Sequence, residues 1–267
     1  MFLLQTAENG IVFLRSTLLS EVRHGFSTRV GGVSTAEHTA SLNLSRGRGD
    51  DDGTVLENIR RFGEAVGFRP EQLVSLPQVH SDRILPVTAD RAGEGVLWES
   101  RETADGYLLT ESGVFAAVKT ADCVPVLLYD SVCRVAAALH AGWRGTFAGI
   151  VPAAVAALGK LGSRPENILA AIGPAISGPC YEVGAEVRRA AESRLGAVPL
   201  AAFRENGEGR FLCDLKEANR LLLLSAEILP EHIDVCPLCT HCRGDLFYSH
   251  RASGGRRGTM MSVVGLP

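Results

Sequence analysis

Short apolar runs separated by turn residues dominate the middle of the chain. They occupy residues 113–119 (GVFAAVK), 124–129 (VPVLLY), 134–139 (RVAAAL) and 168–172 (ILAAI). Near-continuous apolar runs of this length are typical of strands in a sheet that is covered on both faces. The pattern therefore predicts a buried sheet at the centre of the protein.

Segments with helical spacing of apolar residues surround these strands. We predict helices over about 54–66, 146–161, 186–195 and 215–229. Three aspartates at positions 50–52 precede the first helix, where carboxylates accept free N–H groups and meet the positive end of the helix dipole. Because strands and helices interleave without a clear break, residues 1–267 are predicted to form a single mixed α/β domain.

Composition and charge narrow the class of protein. The 267 residues are 46% hydrophobic, which is enough for a large core. Twenty-seven Lys and Arg against 30 Asp and Glu give a net charge of -3, which lacks the basic character of a nucleic-acid-binding protein. The first residues have no basic region followed by a long apolar run, so we expect no secretion signal there. No apolar run reaches the ~20 residues that a membrane span needs. We expect a cytoplasmic protein that binds neither nucleic acid nor membrane.

The seven cysteines fit a reducing compartment, because an odd number leaves one thiol without a disulfide partner. Three of them form the run Cys236-Pro-Leu-Cys239-Thr-His-Cys242. Such spacing can bind zinc or an iron–sulfur cluster. No fourth cysteine follows, and a complete cluster would need Cys213 or His241. We interpret the three as ordinary thiols rather than a second metal site.

Two histidines and a cysteine lie near the ends of predicted strands. Cys123 precedes one buried strand, His140 follows another, and His80 ends the segment Gln-Val-His. If the two strands are antiparallel neighbours, Cys123 and His140 reach the same edge of the sheet. This residue set suits zinc, and three protein ligands leave one tetrahedral position open, as in catalytic sites. The spacing alone leaves two alternatives open, namely core histidines and a metal-free Cys123–His140 hydrolase dyad.

These segments, together with others in the same order, resemble the bacterial polyphenol-oxidase-like (laccase-domain) proteins, which are regarded as purine nucleoside phosphorylases. The most specific motifs are TADC at 120–123 and HAGWRGT at 140–146. Further matches are SLNL at 41–44, GDD at 49–51, QVH at 78–80, ADG at 104–106, IGPAI at 172–176, CYEVG at 180–184 and SHR at 249–251. The resemblance thus extends over nearly the whole chain.

The resemblance implies a single-domain sandwich of mixed sheets with flanking helices and a zinc ion held by His80, Cys123 and His140, which would also be the catalytic residues. It implies phosphorolysis of adenosine, inosine, guanosine and methylthioadenosine, with adenosine deamination as a second activity. Purine nucleosides and phosphate are then the partners. The older description of the family as copper phenol oxidases implies copper instead. We rank copper below zinc, because a multicopper enzyme needs histidine ligands for several ions and the chain has seven His in all.

Three further residues are predicted to contact substrate. Arg48 and Arg251 carry guanidinium groups, which match phosphate oxygens, and Arg48 lies in a glycine-flanked polar loop, where functional residues are common. Asn43 can bond sugar or base. We also expect Asp122 to orient a histidine ligand and Asp105 to form a turn.

The C-terminal motif departs from the family pattern. The family carries a pair of arginines, whereas here Arg251 is followed by Ala252. Arg256 and Arg257 come only later in the chain. The sequence therefore does not predict which residue, if any, takes the place of the second arginine.

Overall fold

The computed structural model describes residues 1–267, which form fifteen strands and five α-helices. The strands are β1 (Phe2–Thr6), β2 (Val12–Ser16), β3 (Arg23–Ser27), β4 (Leu73–Val74), β5 (Ile84–Val87), β6 (Gly106–Leu109), β7 (Phe115–Thr120), β8 (Val124–Asp130), β9 (Val135–Ala141), β10 (Ile168–Ile172), β11 (Glu182–Gly184), β12 (Phe203–Glu205), β13 (Arg210–Cys213), β14 (Ile233–Val235) and β15 (Met260–Gly265). The helices are α1 (Asp52–Val66), α2 (Trp143–Ala148), α3 (Ile150–Lys160), α4 (Ala185–Leu195) and α5 (Leu215–Ser225).

Two six-stranded sheets form the centre of the molecule. The first has the order β1-β2-β3-β15-β7-β4, and the second has the order β14-β10-β8-β9-β6-β5. Most neighbours are antiparallel, but β4 with β7, β5 with β6 and β10 with β14 are parallel, so both sheets are mixed. A small third sheet joins β11, β13 and β12. None of the five helices is both long and apolar enough to cross a membrane.

Alternate side chains of the central strands face opposite layers. In β8, Leu127 and Tyr129 pack against the first sheet, whereas Val126 and Leu128 pack on the other side, where α3 and α5 lie. Helix α1 covers the outer face of the first sheet. The order of layers is therefore helix, sheet, sheet, helices, and the predicted mixed α/β fold is confirmed.

The predicted strands correspond to β7, β8, β9 and β10, whose observed bounds differ by two residues or fewer. The predicted helix over 146–161 is instead two helices, α2 and α3, because Gly149 between them has φ +98° and ends the first. Such a conformation favours glycine and interrupts the helical path. The last predicted helix ends at Ser225 rather than at 229, since Glu227 also has a positive φ of 65°.

Strands β8 and β9 bring the two predicted ligands together. They pair antiparallel, with Val124 opposite Ala141 and Pro125 opposite His140. Cys123 directly precedes the first strand and therefore lies beside His140 at the same edge of the sheet. A single register of one antiparallel pair thus places two residues that are well separated in sequence.

Candidate metal and substrate site

His80, Cys123 and His140 form a group at this edge of the second sheet. Their ligand atoms all lie within 4.8 Å of one another. The Cys123 Sγ is 3.9 Å from the His80 Nε2, and the two imidazole rings lie edge to face with centroids 4.7 Å apart. His140 is buried, Cys123 is half-buried and His80 is exposed, so the group opens to solvent on one side.

The carboxylate of Asp105 holds two of these residues in place. This fully buried side chain accepts hydrogen bonds from the His140 Nδ1 at 2.8 Å and from the His80 backbone N–H at 3.0 Å. The backbone and hydroxyl of Ser81 and the backbone of Val79 donate to its other oxygen. The expectation that Asp105 only forms a turn is therefore wrong, because the carboxylate gathers the chain around both histidines.

Asp122 does not contact either histidine. Its carboxylate accepts bonds from the Thr240 hydroxyl at 2.6 Å, the Ser249 hydroxyl at 3.0 Å and the Arg251 backbone N–H at 2.7 Å. The expected orienting role of Asp122 is thus wrong, since Asp105 takes that position. Asp122 instead fixes the C-terminal loops beside Cys123.

Backbone strain is concentrated at this site. His80 and Asp122 have positive φ values of 63° and 85°, a region that costs free energy for residues with a side chain. The bond from the His80 N–H to Asp105 and the three bonds that Asp122 accepts hold these conformations.

His140 interacts electrostatically with both Asp105 and Cys123, and these interactions shift the pKa values of all three residues. Although burial alone would raise the pKa of Asp105, the bonds from His140 and Ser81 lower it to about 2. Burial alone would lower the pKa of His140, but the neighbouring Cys123 and Asp105 outweigh this effect and raise the pKa to about 9. For Cys123, burial is outweighed by both histidines, which lower the pKa to about 6. Both shifts favour the charged forms, a thiolate at Cys123 and an imidazolium at His140.

The donor set fits a zinc-type cation. Since Asp105 occupies the Nδ1 of His140, the Nε2 of that ring remains as the ligand atom, an arrangement common for metal-binding histidines. A Cβ at Gly142 would lie 3.0 Å from the Cys123 Sγ and 2.8 Å from a ring carbon of His80. Glycine at this position therefore keeps the space around the two ligands free.

Two adjoining cavities meet at the ligand group. The smaller, of about 250 Å³, contains His140 and is lined by the cations Arg48, Lys119 and Arg257. The larger, of about 430 Å³, has walls of Trp143, Ile176, Tyr181 and Leu215, with His250 and Arg251 at its side. Both cavities are bordered by Arg48, His80, Cys123 and Arg257.

Positive charge is crowded in the smaller cavity. Burial, together with Arg46 and Arg48, lowers the pKa of Lys119 to about 8. Burial and Arg48 lower the pKa of Arg257 to about 10, and its Nε atom is buried without a partner. Buried cations beside a further cation favour the binding of an anion. Nothing in the sequence around Lys119 distinguishes it from the end of an ordinary buried strand.

The two predicted arginines both border the larger cavity. Arg48 is exposed, and its backbone carbonyl accepts a bond from His38. The guanidinium of Arg251 lies 5.0 Å from the centre of the Tyr181 ring and donates to the carbonyl of Glu182. Arg257, rather than the residue after Arg251, is the further arginine that the fold brings to the site.

Asn43 lies behind the wall of the smaller cavity, bonded to Ser45 and Thr259, which line it. It is fully buried, and its amide nitrogen donates to the Ser45 carbonyl and to Asp50, while its oxygen accepts from the backbones of Ser45 and Thr259. With every polar atom bonded inside the protein, it has no free group for a sugar or base. The structure instead gives Asn43 the position of a brace between the loop that carries Arg48 and the C-terminal segment.

The sequence of this chain matches a known family. The chain belongs to the multi-copper polyphenol oxidoreductase laccase family, whose model matches residues 23–267. The resemblance predicted from the motifs is therefore confirmed.

Named relatives are similar over most of their length. The chain is 40% identical over 258 residues to the purine nucleoside phosphorylase of Deinococcus radiodurans, covering 97% of this chain and 94% of the relative. It is 37% identical over 249 residues to the purine nucleoside phosphorylase YlmD of Bacillus subtilis, covering 92% and 89%.

Solved structures share the fold. The hypothetical protein YfiH of Bacillus licheniformis superposes with a TM-score of 0.90 at 33% identity, covering 99% of each chain. YlmD from Geobacillus stearothermophilus superposes with a TM-score of 0.89 at 34% identity, covering 98% of each chain.

Proposed function

We propose that this protein is a purine nucleoside phosphorylase that works with a zinc ion held by His80, Cys123 and His140. The observation that carries the proposal is the position of this group between a cationic cavity and an aromatic one. The names of the relatives from Deinococcus radiodurans and Bacillus subtilis support the same activity. Two imidazoles and one thiolate with an open tetrahedral position suit a catalytic zinc ion. A blue-copper site with the same three ligands adds a weak axial ligand, commonly Met, and no methionine lines either cavity, which favours zinc.

The smaller cavity suits phosphate. Arg48, Lys119 and Arg257 converge there, and guanidinium and ammonium groups form charge-assisted hydrogen bonds with phosphate oxygens. Burial and the repulsion from Arg48 lower the pKa values of both Lys119 and Arg257, and a bound dianion would offset that repulsion. The cavity thus gains a large part of its affinity from charges that are already in place.

The larger cavity suits the nucleoside. Its volume lies within the ~300–1,000 Å³ that is usual for small-molecule sites. Trp143, Ile176, Tyr181 and Leu215 offer aromatic and aliphatic surface to a purine ring. Arg251, which stacks near Tyr181, adds polar contacts for the ribose or the base.

The chemistry follows from this placement. A phosphate oxygen attacks C1′ of the ribose while the bond from C1′ to the purine nitrogen breaks, and the base leaves with that electron pair and takes up a proton. The ribose becomes positively charged in the transition state, which a phosphate held by Arg48, Lys119 and Arg257 stabilises from one side. Holding both reactants in adjoining cavities removes much of the entropic cost. When bound, the metal supplies a Lewis acid where the cavities meet.

The proposed substrates are adenosine, inosine, guanosine and methylthioadenosine. Adenosine deamination is the proposed second activity, in which water adds at C6 of the adenine ring, ammonia leaves and inosine forms. Zinc-loaded protein is incubated with each nucleoside, with and without phosphate. Free base, inosine and ribose 1-phosphate (5-methylthioribose 1-phosphate from methylthioadenosine) are quantified. We expect base release that requires phosphate and is lost in Cys123→Ala. Cys133→Ala, which changes a half-buried thiol outside the site, is the control and keeps activity. Absence of turnover with all four nucleosides would reject the proposal.

One observation favours a second function. The lowered pKa of Cys123 and the raised pKa of His140 describe a thiolate–imidazolium pair, as in cysteine hydrolases. A hydrolase of this kind stays active after chelation and is inactivated by an alkylating agent such as iodoacetamide. The phosphorylase instead loses activity on chelation and regains it with zinc.

A further inference from the structure

A second group of thiols lies outside the site described above. The sulfur atoms of Cys180, Cys239 and Cys242 all lie within 4.8 Å of one another, and those of Cys180 and Cys242 are 3.3 Å apart. Cys239 is buried, Cys180 is half-buried and Cys242 is exposed, so solvent reaches the group from one side. Cys236, which begins the C-x-x-C-x-x-C run, is instead buried in the core between the sheets.

Backbone contacts define where these thiols meet. Ala175 and Cys239 form a parallel bridge, and the Thr240 N–H donates to the Ala175 carbonyl at 3.1 Å. The Ser177 N–H donates to the Cys239 sulfur at 3.3 Å. The turn that carries Cys180 is therefore held against the loop that carries Cys239 and Cys242 before any metal binds.

We propose that Cys180, Cys239 and Cys242 form a second metal site, which binds zinc through three thiolates and leaves one position for water. In tetrahedral zinc sites with bonds of ~2.3 Å to sulfur, neighbouring sulfurs are ~3.8 Å apart. The separations here, 3.3 Å for Cys180 and Cys242 and at most 4.8 Å for every pair, are within about 1 Å of that value. Small rotations of the side chains therefore suffice, and the soft thiolates select zinc over magnesium or calcium.

The pKa values of Cys239 and Cys180 reflect the close approach of the three thiols. Burial alone would raise the pKa of Cys239, but hydrogen bonds from Ser177 and from the Cys242 backbone lower it to about 7. Burial and the adjacent Cys242 raise the pKa of Cys180 to about 12. A divalent cation bound by the three sulfurs would displace their thiol protons.

The site would brace one wall of the larger cavity. Cys180 directly precedes Tyr181, which borders that cavity. Cys239 directly precedes Thr240, whose hydroxyl bonds the carboxylate of Asp122 next to Cys123. A metal across the two loops fixes both positions. The role is structural, and the site itself does not depend on the proposed phosphorylase activity.

Metal stoichiometry tests the site directly. The full chain is purified under reducing conditions, saturated with zinc alone, freed of unbound ion and analysed by mass spectrometry for metals. We expect two zinc ions per chain for the wild type, one for Cys242→Ser, one for Cys123→Ala and none for the double variant. Cys133→Ser is the matched control and keeps two.

Cobalt provides a second readout. In the Cys123→Ala background, Co²⁺ bound by the three thiolates gives an intense sulfur-to-cobalt charge-transfer band, which Cys180→Ser and Cys242→Ser remove. One zinc ion in the wild type that is unchanged by Cys242→Ser would overturn the proposal. So would a Cys180–Cys242 disulfide that persists in reductant, seen as two missing free thiols. Because these readouts measure metal rather than turnover, their failure is distinct from failure of the phosphorylase.

Discussion

The Asp105 carboxylate bonds the His140 ring through Nδ1 at 2.8 Å, and the same oxygen accepts the backbone N–H of His80 at 3.0 Å. One buried charge thus orients one predicted ligand through its side chain and another through its main chain. The Nε2 of His140 is thereby directed toward Cys123, so that Asp105 determines the geometry of the whole group.

Asp105→Asn is expected to weaken zinc binding by about 10- to 100-fold, the usual effect of losing a carboxylate behind a histidine ligand. The amide keeps the size of the side chain but turns an N–H₂ group toward backbone donors. Competition with a chelating dye measures the affinity. Asp90→Asn, at an exposed aspartate, serves as the control. Unchanged affinity in Asp105→Asn would contradict the orienting role.

Acid should erase the contribution of Asp105 to stability in metal-free protein. Its pKa of about 2 in the folded state lies below the ordinary 3.8, so the stabilisation is complete above the unfolded pKa and is lost as pH falls through the folded one. The free energy of unfolding of the wild type should exceed that of Asp105→Asn at pH ~5. We expect this difference to decrease by about 2 kcal/mol between pH ~5 and pH ~2. Urea titrations at several pH values measure it, and a constant excess would refute the assignment.

Lys119→Met should raise the KM for phosphate by about tenfold or more, because a charge-assisted contact contributes roughly 1.5–3 kcal/mol. The KM for the nucleoside should change little. Lys160→Met, at an exposed lysine that ends α3, is the control. Initial rates over a range of phosphate concentrations separate the two constants. If Lys119→Met changes only the nucleoside KM, phosphate binds elsewhere.

Tyr181→Ala should raise the nucleoside KM roughly five- to tenfold, since an aromatic contact contributes about 0.5–1.5 kcal/mol beyond its buried area. Tyr181→Phe retains the ring and should stay near the wild type. Inosine saturation curves at fixed phosphate measure the effect. Equal loss in both variants would indicate that the hydroxyl, not the ring, matters.

The sequence predicts the parts of the fold that follow from local pattern. The strands β7 to β10 follow from continuous apolar runs, and the pairing of β8 with β9 then places Cys123 beside His140. The break between α2 and α3 could not be predicted, because the spacing of apolar residues continues through Gly149.

The sequence does not predict the roles of residues whose partners lie far away in the chain. Asp105 looked like a turn residue because its partners, Ser81 and His140, lie 24 and 35 positions away in the chain. The sequence predicts that Asn43 binds sugar or base because it does not reveal the bond from Thr259, which lies 216 positions away. Their roles depend on which loops the two sheets bring together, and a single sequence contains no local signal for that.

The two ends of the β8–β9 hairpin differ in how well they tolerate insertions and deletions. Its turn, where the Asp130 carboxylate accepts the N–H groups of Val132 and Cys133, lies at the opposite end from Cys123 and His140. A peptide tag inserted at the exposed Val132 would leave the ligands in place. A one-residue deletion within β9 would shift its register and turn His140 toward the other face of the sheet. The hairpin therefore offers a site for labelling the protein without disturbing its metal-binding edge.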